Sequence, residues 1–512
     1  MAPETLLRAV SPALLLGVVL ALGLEQLLAP GLVLPWRRPP ATLALHTGLW
    51  LAWQGGLLLL LGRPWLALVI ALIGLLAVVV VSNAKYGSLR EPFTVHDFEY
   101  FTDAMRYPRL YLPFLRVNFP TVLACAGVLV GLALCVRLES WLVARYAPLS
   151  LCYGACGLFL LAGGLVWLGR RPPRAHRYIA AHDLAHLGLL SYLWHYARAA
   201  RQPVVVAAPL AGLAGSTLTP AALPHLLVVQ SESFFDVREL AGGIRPEVLA
   251  EFDAACADAL SYGRLRVPAW GANTVRTEFA FLWGLSAVAQ GVHQFQPYQR
   301  LAWQGLPQLV GTLKNAGYRT VCLHPYWGSF YARDVLFPQL GFDSFIDIRA
   351  FSDQDHAGPY VGDWALAEKI GPLLAQDHPQ PLFIFAITME NHGPLHLERV
   401  PADELPALYT SPPPAACAEL SVYLRHLRNA DRMLGELRGQ LAAATRPGCL
   451  CWYGDHVPLM SEVYAELGSP QGRTDYCLWR TEGAHPRGVQ HDLAVEDLAL
   501  RLCELAGLVP AT

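Results

Sequence analysis

Two side chains that bind metals stand next to each other at the end of an apolar run. The run Gly448-Cys-Leu-Cys-Trp-Tyr-Gly-Asp-His456 has the character of a buried strand and closes on Asp455 and His456. A carboxylate and an imidazole delivered side by side suit a divalent metal. The alternative is a solvated Gly-Asp-His turn after an ordinary core strand, because a motif this short often arises by chance.

Three further apolar runs each lead to a side chain that binds metals or handles protons. They are Leu226 to Val229 before Glu232, Thr320 to Leu323 before His324, and Leu382 to Ile387 before the stretch that ends at His392. In open α/β sheets, ligands bind at the carboxyl ends of the strands. The sequence therefore predicts that these side chains gather at one edge of a sheet.

Thr274 is the candidate nucleophile for this edge. It stands where a loop that contains Gly271 is predicted to turn into a helix. Backbone amides and the helix dipole favour an anionic phosphate at such a position. The alternative is that Thr274 only caps the helix, which is the commoner role of a threonine there.

The part of the chain that carries these residues has the pattern of an α/β domain. From His225 onward, short apolar runs alternate with helical segments such as Leu420 to Leu437. This alternation predicts a largely parallel central sheet covered on both faces. Cys449 and Cys451 lie two apart on a predicted strand and point to the same face, which indicates core packing rather than a redox pair.

The N-terminal part is apolar enough to lie in a membrane. Of the 512 residues, 54% are hydrophobic and only 15% are charged, which is more apolar than an average soluble protein. Five stretches are long enough to cross a hydrocarbon core of about 30 Å as helices. They cover approximately residues 9–29, 42–62, 64–82, 119–136 and 150–168. The first has no convincing small-residue cleavage site, so we expect a retained anchor rather than a removed signal peptide.

These patterns predict three parts. Residues 1–170 form a five-span transmembrane domain, with an aromatic and basic loop at 82–118 that suits the headgroup region. Residues 171–224 hold an amphipathic helix from about 180 to 200 and a linker rich in alanine, glycine and proline. Residues 225–512 form the α/β domain. A net charge of -2 argues against a nucleic-acid binder, which would need a clustered basic surface.

Five motifs, in order, resemble those of the lipoteichoic acid synthases and related phosphoglycerol transferases of the sulfatase and alkaline phosphatase superfamily. They are Glu232 after a strand, Gly-x-x-Thr-x-x-x-Glu-Phe at 271–279, His324-Pro-Tyr-Trp-Gly-Ser-Phe-Tyr-Ala-Arg-Asp334 leading to Leu340-Gly-Phe-Asp343, Asn391-His-Gly-Pro394, and Tyr453-Gly-Asp-His456. Each motif alone is weak evidence for the family, whereas five motifs in the family's order are strong evidence. The motifs span about 225–460, and the predicted spans precede them, so the similarity covers nearly the whole chain.

The resemblance implies a metal site with a nucleophile. Thr274 matches the threonine nucleophile of the family, which is also a metal ligand. Glu232, Asp455 and His456 match the other ligands of a single divalent metal, with Mn²⁺ expected and Mg²⁺ or Zn²⁺ as alternatives.

The resemblance also implies a phosphate pocket. Arg333 and His392 match residues that hold the phosphate, and His324 matches a histidine of the same pocket. Tyr331 stands where the lipoteichoic acid synthases carry a tryptophan two residues before the arginine. Tyrosine keeps a flat aromatic side chain at this position, but the family's contacts to the glycerol group are not carried over to this chain.

The expected activity is transfer of phosphoglycerol from phosphatidylglycerol to a hydroxyl of a glycan or polymer, through a phospho-threonine intermediate. A related alternative is phosphoethanolamine transfer at the same site. Hydrolysis by a sulfatase or phosphatase, and a receptor without chemistry, are further alternatives. The sulfatase modification signature, Cys or Ser followed by x-Pro-x-Arg, is absent from the sequence.

The positive-inside rule and the family resemblance disagree about which side of the membrane the C-terminal domain lies on. With the N-terminus inside, the inside segments hold four arginines, whereas the outside segments hold eleven lysines and arginines. The positive-inside rule therefore opposes an external C-terminal domain, although long domains translocate largely regardless of charge. The resemblance implies a multi-pass protein of the bacterial inner (cytoplasmic) membrane, with its catalytic domain facing the periplasm or cell exterior.

Overall fold

The computed structural model describes residues 3–98, 119–171, 178–202, 206, 209–210, 223–411, 413–481 and 488–508. The chain divides into two units, Met1–Pro203 and Val204–Thr512. The first consists of helices, and the second is built around a β-sheet.

Long apolar helices form most of the first unit. They are α1 (Pro3–Leu24), α2 (Pro40–Leu61), α3 (Pro64–Leu89), α4 (Phe119–Leu138) and α5 (Pro148–Gly169). Each coincides with one of the five predicted spans. Among the described residues, four segments are long and apolar enough to cross a membrane: Thr5–Leu27, α2, α3 and α5. Four of the five helices, α1, α2, α3 and α5, have proline at their first position, where its fixed φ and missing N–H are tolerated.

The predicted interfacial loop at 82–118 begins later than expected. Helix α3 continues through its first eight residues to Leu89 and ends where Arg90 adopts φ 54°. No proline interrupts the segment, so the helix extends past the apolar run into polar residues. There Lys85 is held by Glu91 and Asp97, with its Nζ 2.7 Å from Glu91 Oε1 and 2.7 Å from Asp97 Oδ2. Residues 99–118 lie outside the described part.

Two short helices replace the single amphipathic helix predicted at about 180 to 200. They are α6 (Ala180–Leu187) and α7 (Leu189–Ala199). Gly188 breaks the run with φ 72° and ψ 163°, and a Cβ there would collide with the guanidinium of Arg38. Arg38 forms a buried ion pair with Glu25, which also accepts a 3.0 Å hydrogen bond from the N–H of Leu189. The close approach of this pair explains the break. Most of the predicted linker lies outside the described residues.

A mixed sheet of nine strands organises the described part of the second unit. Its strands are β1 (His225–Ser231), β2 (Ser261–Arg266), β3 (Arg319–Leu323), β4 (Ser344–Ile346), β7 (Leu382–Ile387), β8 (Gly448–Gly454), β9 (Arg473–Arg480), β10 (Val489–Gln490) and β11 (Leu493–Ala494), and β5 (His356–Ala357) and β6 (Tyr360–Val361) form a separate hairpin.

The strand order in the sheet is β10-β2-β9-β8-β1-β7-β3-β4, and β11 also pairs with β2. The neighbours β8, β1, β7, β3 and β4 run parallel to one another, whereas β9 is antiparallel to both β8 and β2.

Helices cover both faces of the sheet. They are α8 (Ala250–Ala257), α9 (Thr274–Trp283), α10 (Ala287–Gln290), α11 (Pro297–Arg300), α12 (Leu309–Asn315), α13 (Arg333–Leu340), α14 (Asp363–Ala375), α15 (Ala418–Ala443), α16 (Ser461–Leu467) and α17 (Val495–Leu505). Side chains of β1, β7 and β8 alternate between two cores, one shared with α8, α14 and α15, the other with α9, α12, α13 and α17. Burial on both faces explains why these strands read as continuous apolar runs.

The four predicted strands and the predicted α/β architecture are confirmed. The runs that begin at Leu226, Thr320, Leu382 and Cys449 lie within β1, β3, β7 and β8. Cys449 and Cys451 are free and buried in the same core. The prediction that they serve packing is consistent with this placement.

Candidate metal centre and active site

The metal-binding side chains lie together because β1 and β8 are parallel neighbours in register. Ser231, the last residue of β1, pairs with Gly454, the last residue of β8. Glu232 and Asp455 therefore leave the sheet side by side. Glycine is required at 454, because a Cβ there would collide with the carbonyl oxygen of Phe234.

Glu232, Asp455 and His456 form a group with metal-ligand geometry. One ligand atom from each lies within 4.8 Å of the others. His456 Nε2 is 3.4 Å from Glu232 Oε1 and 3.2 Å from Asp455 Oδ2. All three side chains are buried, so water does not screen their charges well.

Neighbouring hydrogen bonds orient these three side chains. Ser233, which has φ 55°, donates its N–H to Asp455 Oδ1 at 2.8 Å and its hydroxyl to Glu232 Oε1 at 3.0 Å. His456 Nδ1 lies 3.1 Å from the carbonyl oxygen of Val457. Donation by Nδ1 to a carbonyl leaves Nε2 as the free ligand atom, which is the usual arrangement of a metal-binding histidine.

The donor set fits a divalent cation. Asp455 Oδ2 is buried and has no hydrogen-bond partner among the described residues, which is costly for an anion without a counter-charge. Burial, and then the charge of Asp455, raise the pKa of Glu232 to about 8. Two buried carboxylates that repel each other are stabilised by a cation between them. A mixed set of carboxylate and imidazole ligands suits Mn²⁺, Mg²⁺ or Zn²⁺.

Thr274 is the first residue of α9. The N-cap position belongs to Asn273, which adopts φ 70°, so Thr274 does not take the capping role considered above. The Thr277 hydroxyl donates to the carbonyl oxygen of Asp455 at 2.7 Å, which ties the first turn of α9 to the metal group. The half-buried Thr274 thus stands at a helix N-terminus that favours anions.

Arg333 and His324 lie in contact with each other. Arg333 Nη1 is 3.3 Å from His324 Nε2, and His324 Nδ1 is 3.2 Å from the carbonyl oxygen of Ile387. Burial, and then the charge of Arg333, lower the pKa of His324 well below its usual value. His324 is therefore neutral, with its proton on Nδ1 and its Nε2 accepting from Arg333.

Glu278 holds Arg333 and was not identified from the sequence as its partner. Arg333 Nη2 is 2.7 Å from Glu278 Oε2, and Nε is 3.2 Å from Oε1. The Tyr298 hydroxyl also donates to Glu278. Burial alone would lower the pKa of Arg333, but Glu278 raises it above its usual value. Glu278 fixes the Nε–Nη2 edge of the guanidinium and His324 accepts from Nη1, whose second hydrogen remains for a ligand.

Tyr331 packs against the same arginine. The guanidinium carbon of Arg333 lies 5.2 Å from the centre of the Tyr331 ring, within the range of a cation–π contact. Tyr331 and Ala332 adopt φ 58° and 53° in succession. Left-handed backbone at two consecutive non-glycine residues is strained, and strain of this kind clusters at functional sites.

His392 lies on the loop after β7, close enough to Asp455 and His324 to interact with both electrostatically. Its Nδ1 is 2.7 Å from the carbonyl oxygen of Gly393, and burial lowers the pKa of the ring. The Tyr360 ring packs edge-on against it at 5.3 Å between centroids. His392 is thus a neutral imidazole with Nε2 available.

The family model for the sulfatases matches residues 224–508. The chain belongs to the sulfatase family. Its resemblance to the lipoteichoic acid synthases is also found by alignment, since 102 residues are 28% identical to lipoteichoic acid synthase 1 of Bacillus subtilis, over 19% of this chain and 15% of that protein. The expected fold, apolar helices followed by a sulfatase-like domain, is confirmed.

Two longer matches come from Rhizobium meliloti. The capsular polysaccharide biosynthesis protein RkpI is 29% identical over 416 residues, covering 77% of this chain and 73% of the relative. A putative cyclic beta-1,2-glucan modification protein is 27% identical over 252 residues, covering 49% and 38%. Among solved structures, the phosphoglycerol transferase GacH of Streptococcus pyogenes, in complex with sn-glycerol-1-phosphate, has a TM-score of 0.46 at 19% identity, with 57% of this chain and 78% of that chain covered.

Proposed function

We propose that this sulfatase-family protein is a phosphoglycerol transferase that uses phosphatidylglycerol as donor and a glycan or polymer hydroxyl as acceptor. The observation that carries the proposal is the buried group of Glu232, Asp455 and His456, tied to the helix that begins at Thr274. Within this group Asp455 Oδ2 accepts no hydrogen bond from the described residues. A divalent cation at this group supplies positive charge that lowers the pKa of a nearby hydroxyl and neutralises phosphate oxygens.

The transfer takes place in two displacements. In the first, the Thr274 oxygen attacks the phosphorus of phosphatidylglycerol, the bond from phosphorus to the diacylglycerol oxygen breaks, and the proton of Thr274 ends on diacylglycerol. In the second, an acceptor hydroxyl attacks the same phosphorus, the bond to Thr274 breaks, and the acceptor proton returns to Thr274. Covalent capture divides one difficult step into two easier ones.

The remaining residues hold and shield the phosphate. Arg333, fixed by Glu278, donates from Nη1 to a phosphate oxygen and stabilises the charge of the transition state. His392 is neutral and offers Nε2 to the proton that moves between the hydroxyl groups. The Tyr331 ring covers Arg333 and limits the access of water to the phosphate.

The first unit and the relatives support the donor and acceptor classes. Four segments that are long and apolar enough to cross a membrane keep the enzyme where a phospholipid donor is found. Two relatives are described by their roles in capsular polysaccharide biosynthesis and cyclic glucan modification. Both roles concern glycans, in keeping with a glycan hydroxyl as acceptor.

Replacement of Thr274 tests the proposal. We expect Thr274→Ala in the full chain to reduce release of diacylglycerol from phosphatidylglycerol at least about 1,000-fold, because the attacking oxygen is lost. Bound metal, measured on the same sample, remains, since three ligands are intact. The matched control is Thr312→Ala on α12, whose hydroxyl donates to the Gln308 carbonyl one helical turn earlier.

Two results would contradict the proposal. Retained turnover in Thr274→Ala would reject this nucleophile. Wild-type release of diacylglycerol from phosphatidylethanolamine but not from phosphatidylglycerol would reject the donor and assign phosphoethanolamine transfer.

A further inference from the structure

A cavity of about 380 Å³ is lined mostly by polar side chains. Its walls include Glu390, Glu398, Arg399, Arg425, His426 and Asn429. We infer that this cavity is the acceptor subsite and that it takes a sugar unit with free hydroxyl groups and an acidic substituent. The inference rests on the proposed transfer and adds the class of acceptor to it.

Polar side chains in the wall are held in fixed positions. His426 bridges two carboxylates, with Nδ1 2.8 Å from Glu390 Oε1 and Nε2 3.2 Å from Glu398 Oε1. Asn429 donates to Glu390 Oε1 at 2.6 Å, and Arg425 forms an ion pair with Glu398. His426 and Glu390 are almost fully buried. A buried ionic network is expensive compared with apolar packing, so its position at a cavity wall indicates a binding role.

The cavity lies next to His392. Glu390 precedes His392 by two residues on the loop after β7, so their Cα atoms are at most about 7 Å apart. Tyr360 of the β5–β6 hairpin donates its hydroxyl to the Gly393 carbonyl oxygen at 3.2 Å. Gly358, at the turn of the same hairpin, lines the cavity. The hairpin therefore borders both places, and a molecule in the cavity lies beside the phosphate site.

The free hydrogen-bonding capacity of the wall suits hydroxyl groups. Each carboxylate has about four lone-pair sites. Glu398 accepts from His426 and Arg425, and Glu390 accepts from His426, Asn429 and the N–H of Asp363. The remaining sites, together with the carbonyl oxygen of Asn429, accept from sugar hydroxyls. Both nitrogens of His426 are already engaged, which leaves no lone pair for a metal ion at this residue.

The charges of the wall favour an acidic substituent. Burial and then Glu390 raise the pKa of Asp363 well above its usual value, so this neighbour is neutral. With a proton on each nitrogen of His426, the charges of His426 and Arg425 balance those of Glu390 and Glu398. Arg399 is exposed and forms no ion pair within the described part of the chain. It leaves one surplus positive charge. The volume lies in the range of ligand pockets, roughly 300–1,000 Å³.

Binding and transfer are tested with two probes on the full chain in detergent. The probes are an oligosaccharide of hexuronic acid and a neutral hexose oligosaccharide of the same length. We expect wild-type protein to bind the acidic probe about tenfold more tightly, as one charge-assisted hydrogen bond allows. Arg399→Ala removes that difference, and Asn429→Ala weakens binding of both probes. The control Arg428→Ala, next to Asn429 on α15, leaves both affinities unchanged.

The donor half-reaction separates this inference from the proposed function. We expect Arg399→Ala to release diacylglycerol from phosphatidylglycerol at the wild-type rate while the KM for the acidic probe rises about tenfold in transfer. Equal wild-type affinity for the two probes overturns the acidic substituent, and binding of neither probe overturns the subsite. If wild-type protein releases no diacylglycerol but binds the acidic probe through Arg399, the donor proposal fails and the sugar site stands.

Discussion

Glu278 controls the position of Arg333, the residue expected to hold the transferred phosphate. The two side chains are joined by two hydrogen bonds in a fully buried place. We expect Glu278→Gln to lower kcat about tenfold or more, because a neutral amide no longer fixes the guanidinium. An uncompensated buried Arg333 also destabilises the fold by about 3–5 kcal/mol. Steady-state kinetics and thermal unfolding of the same preparation measure both effects.

A purely structural role of Glu278 gives a different pattern. In that case stability falls, while kcat for the folded fraction stays at the wild-type value. The control is Glu368→Gln on α14, where the carboxylate accepts an exposed 3.2 Å hydrogen bond from the Trp364 indole. It leaves both kcat and stability unchanged.

Individual ligands were predictable from sequence where they follow an apolar strand directly. Glu232, Asp455 and His456 satisfy that rule, and the structure brings them together. Glu278 did not stand out as the partner of Arg333, because it lies 55 residues away in sequence and on a helix rather than at a strand end. Its spacing of four residues from Thr274 places both on one side of α9, which was the available signal.

His426 on helix α15 lines the cavity and has a raised pKa. Burial would lower the pKa of His426, but hydrogen bonds to Glu390 and Glu398 raise it to about 9. Asp363, at the start of α14, also faces this histidine, and burial and Glu390 raise its pKa well above the usual value. Two arginines line the same cavity: Arg425, which pairs with Glu398, and Arg399.

The raised pKa of His426 makes stability depend on pH. Its contribution is complete below the unfolded pKa of 6.5 and is lost as the pH rises through about 9. The loss is at most about 3 kcal/mol. We expect hydrogen exchange of β7 and α15 in the full chain to speed up over this window in wild type, compared at each pH with His426→Gln. Equal protection ratios at pH 6 and pH 9.5 would refute the assignment.

Elements with a strong periodic pattern were predictable, and those set by close contacts were not. The apolar runs of β1, β7 and β8 are long and buried on both faces, so the sequence pattern identifies them as strands. Strand β9 has no such run before Tyr476, and its antiparallel pairing to β8 depends on contacts across the sheet. The break at Gly188 depends on Arg38, 150 residues earlier in the chain. Local patterns carry no information about such neighbours.

At the scale of the whole molecule, the division into a membrane unit and an α/β unit follows from composition. The apolar residues are concentrated before about 170, and the alternation of strands and helices begins at His225. The side of the membrane does not follow in the same way, because eleven basic residues in the segments assigned to the outside oppose four in those assigned to the inside. Under the proposed function, a glycan acceptor outside the cytoplasm requires the α/β unit to lie on that side.

Reporter fusions decide the orientation. A secreted phosphatase fused after Leu508 is expected to be active, because the large domain translocates despite the flanking charge, and a fluorescent protein active only in the cytoplasm is expected to stay dark there. The same pair fused after Ala144, between α4 and α5, should give the opposite result if α5 crosses the membrane. Cytoplasmic reporter activity at Leu508 would contradict the outward placement of the metal group. Replacement of Arg170 and Arg171 by neutral residues should increase the phosphatase activity of the Leu508 fusion, because positive charge at the end of α5 favours retention of that end in the cytoplasm.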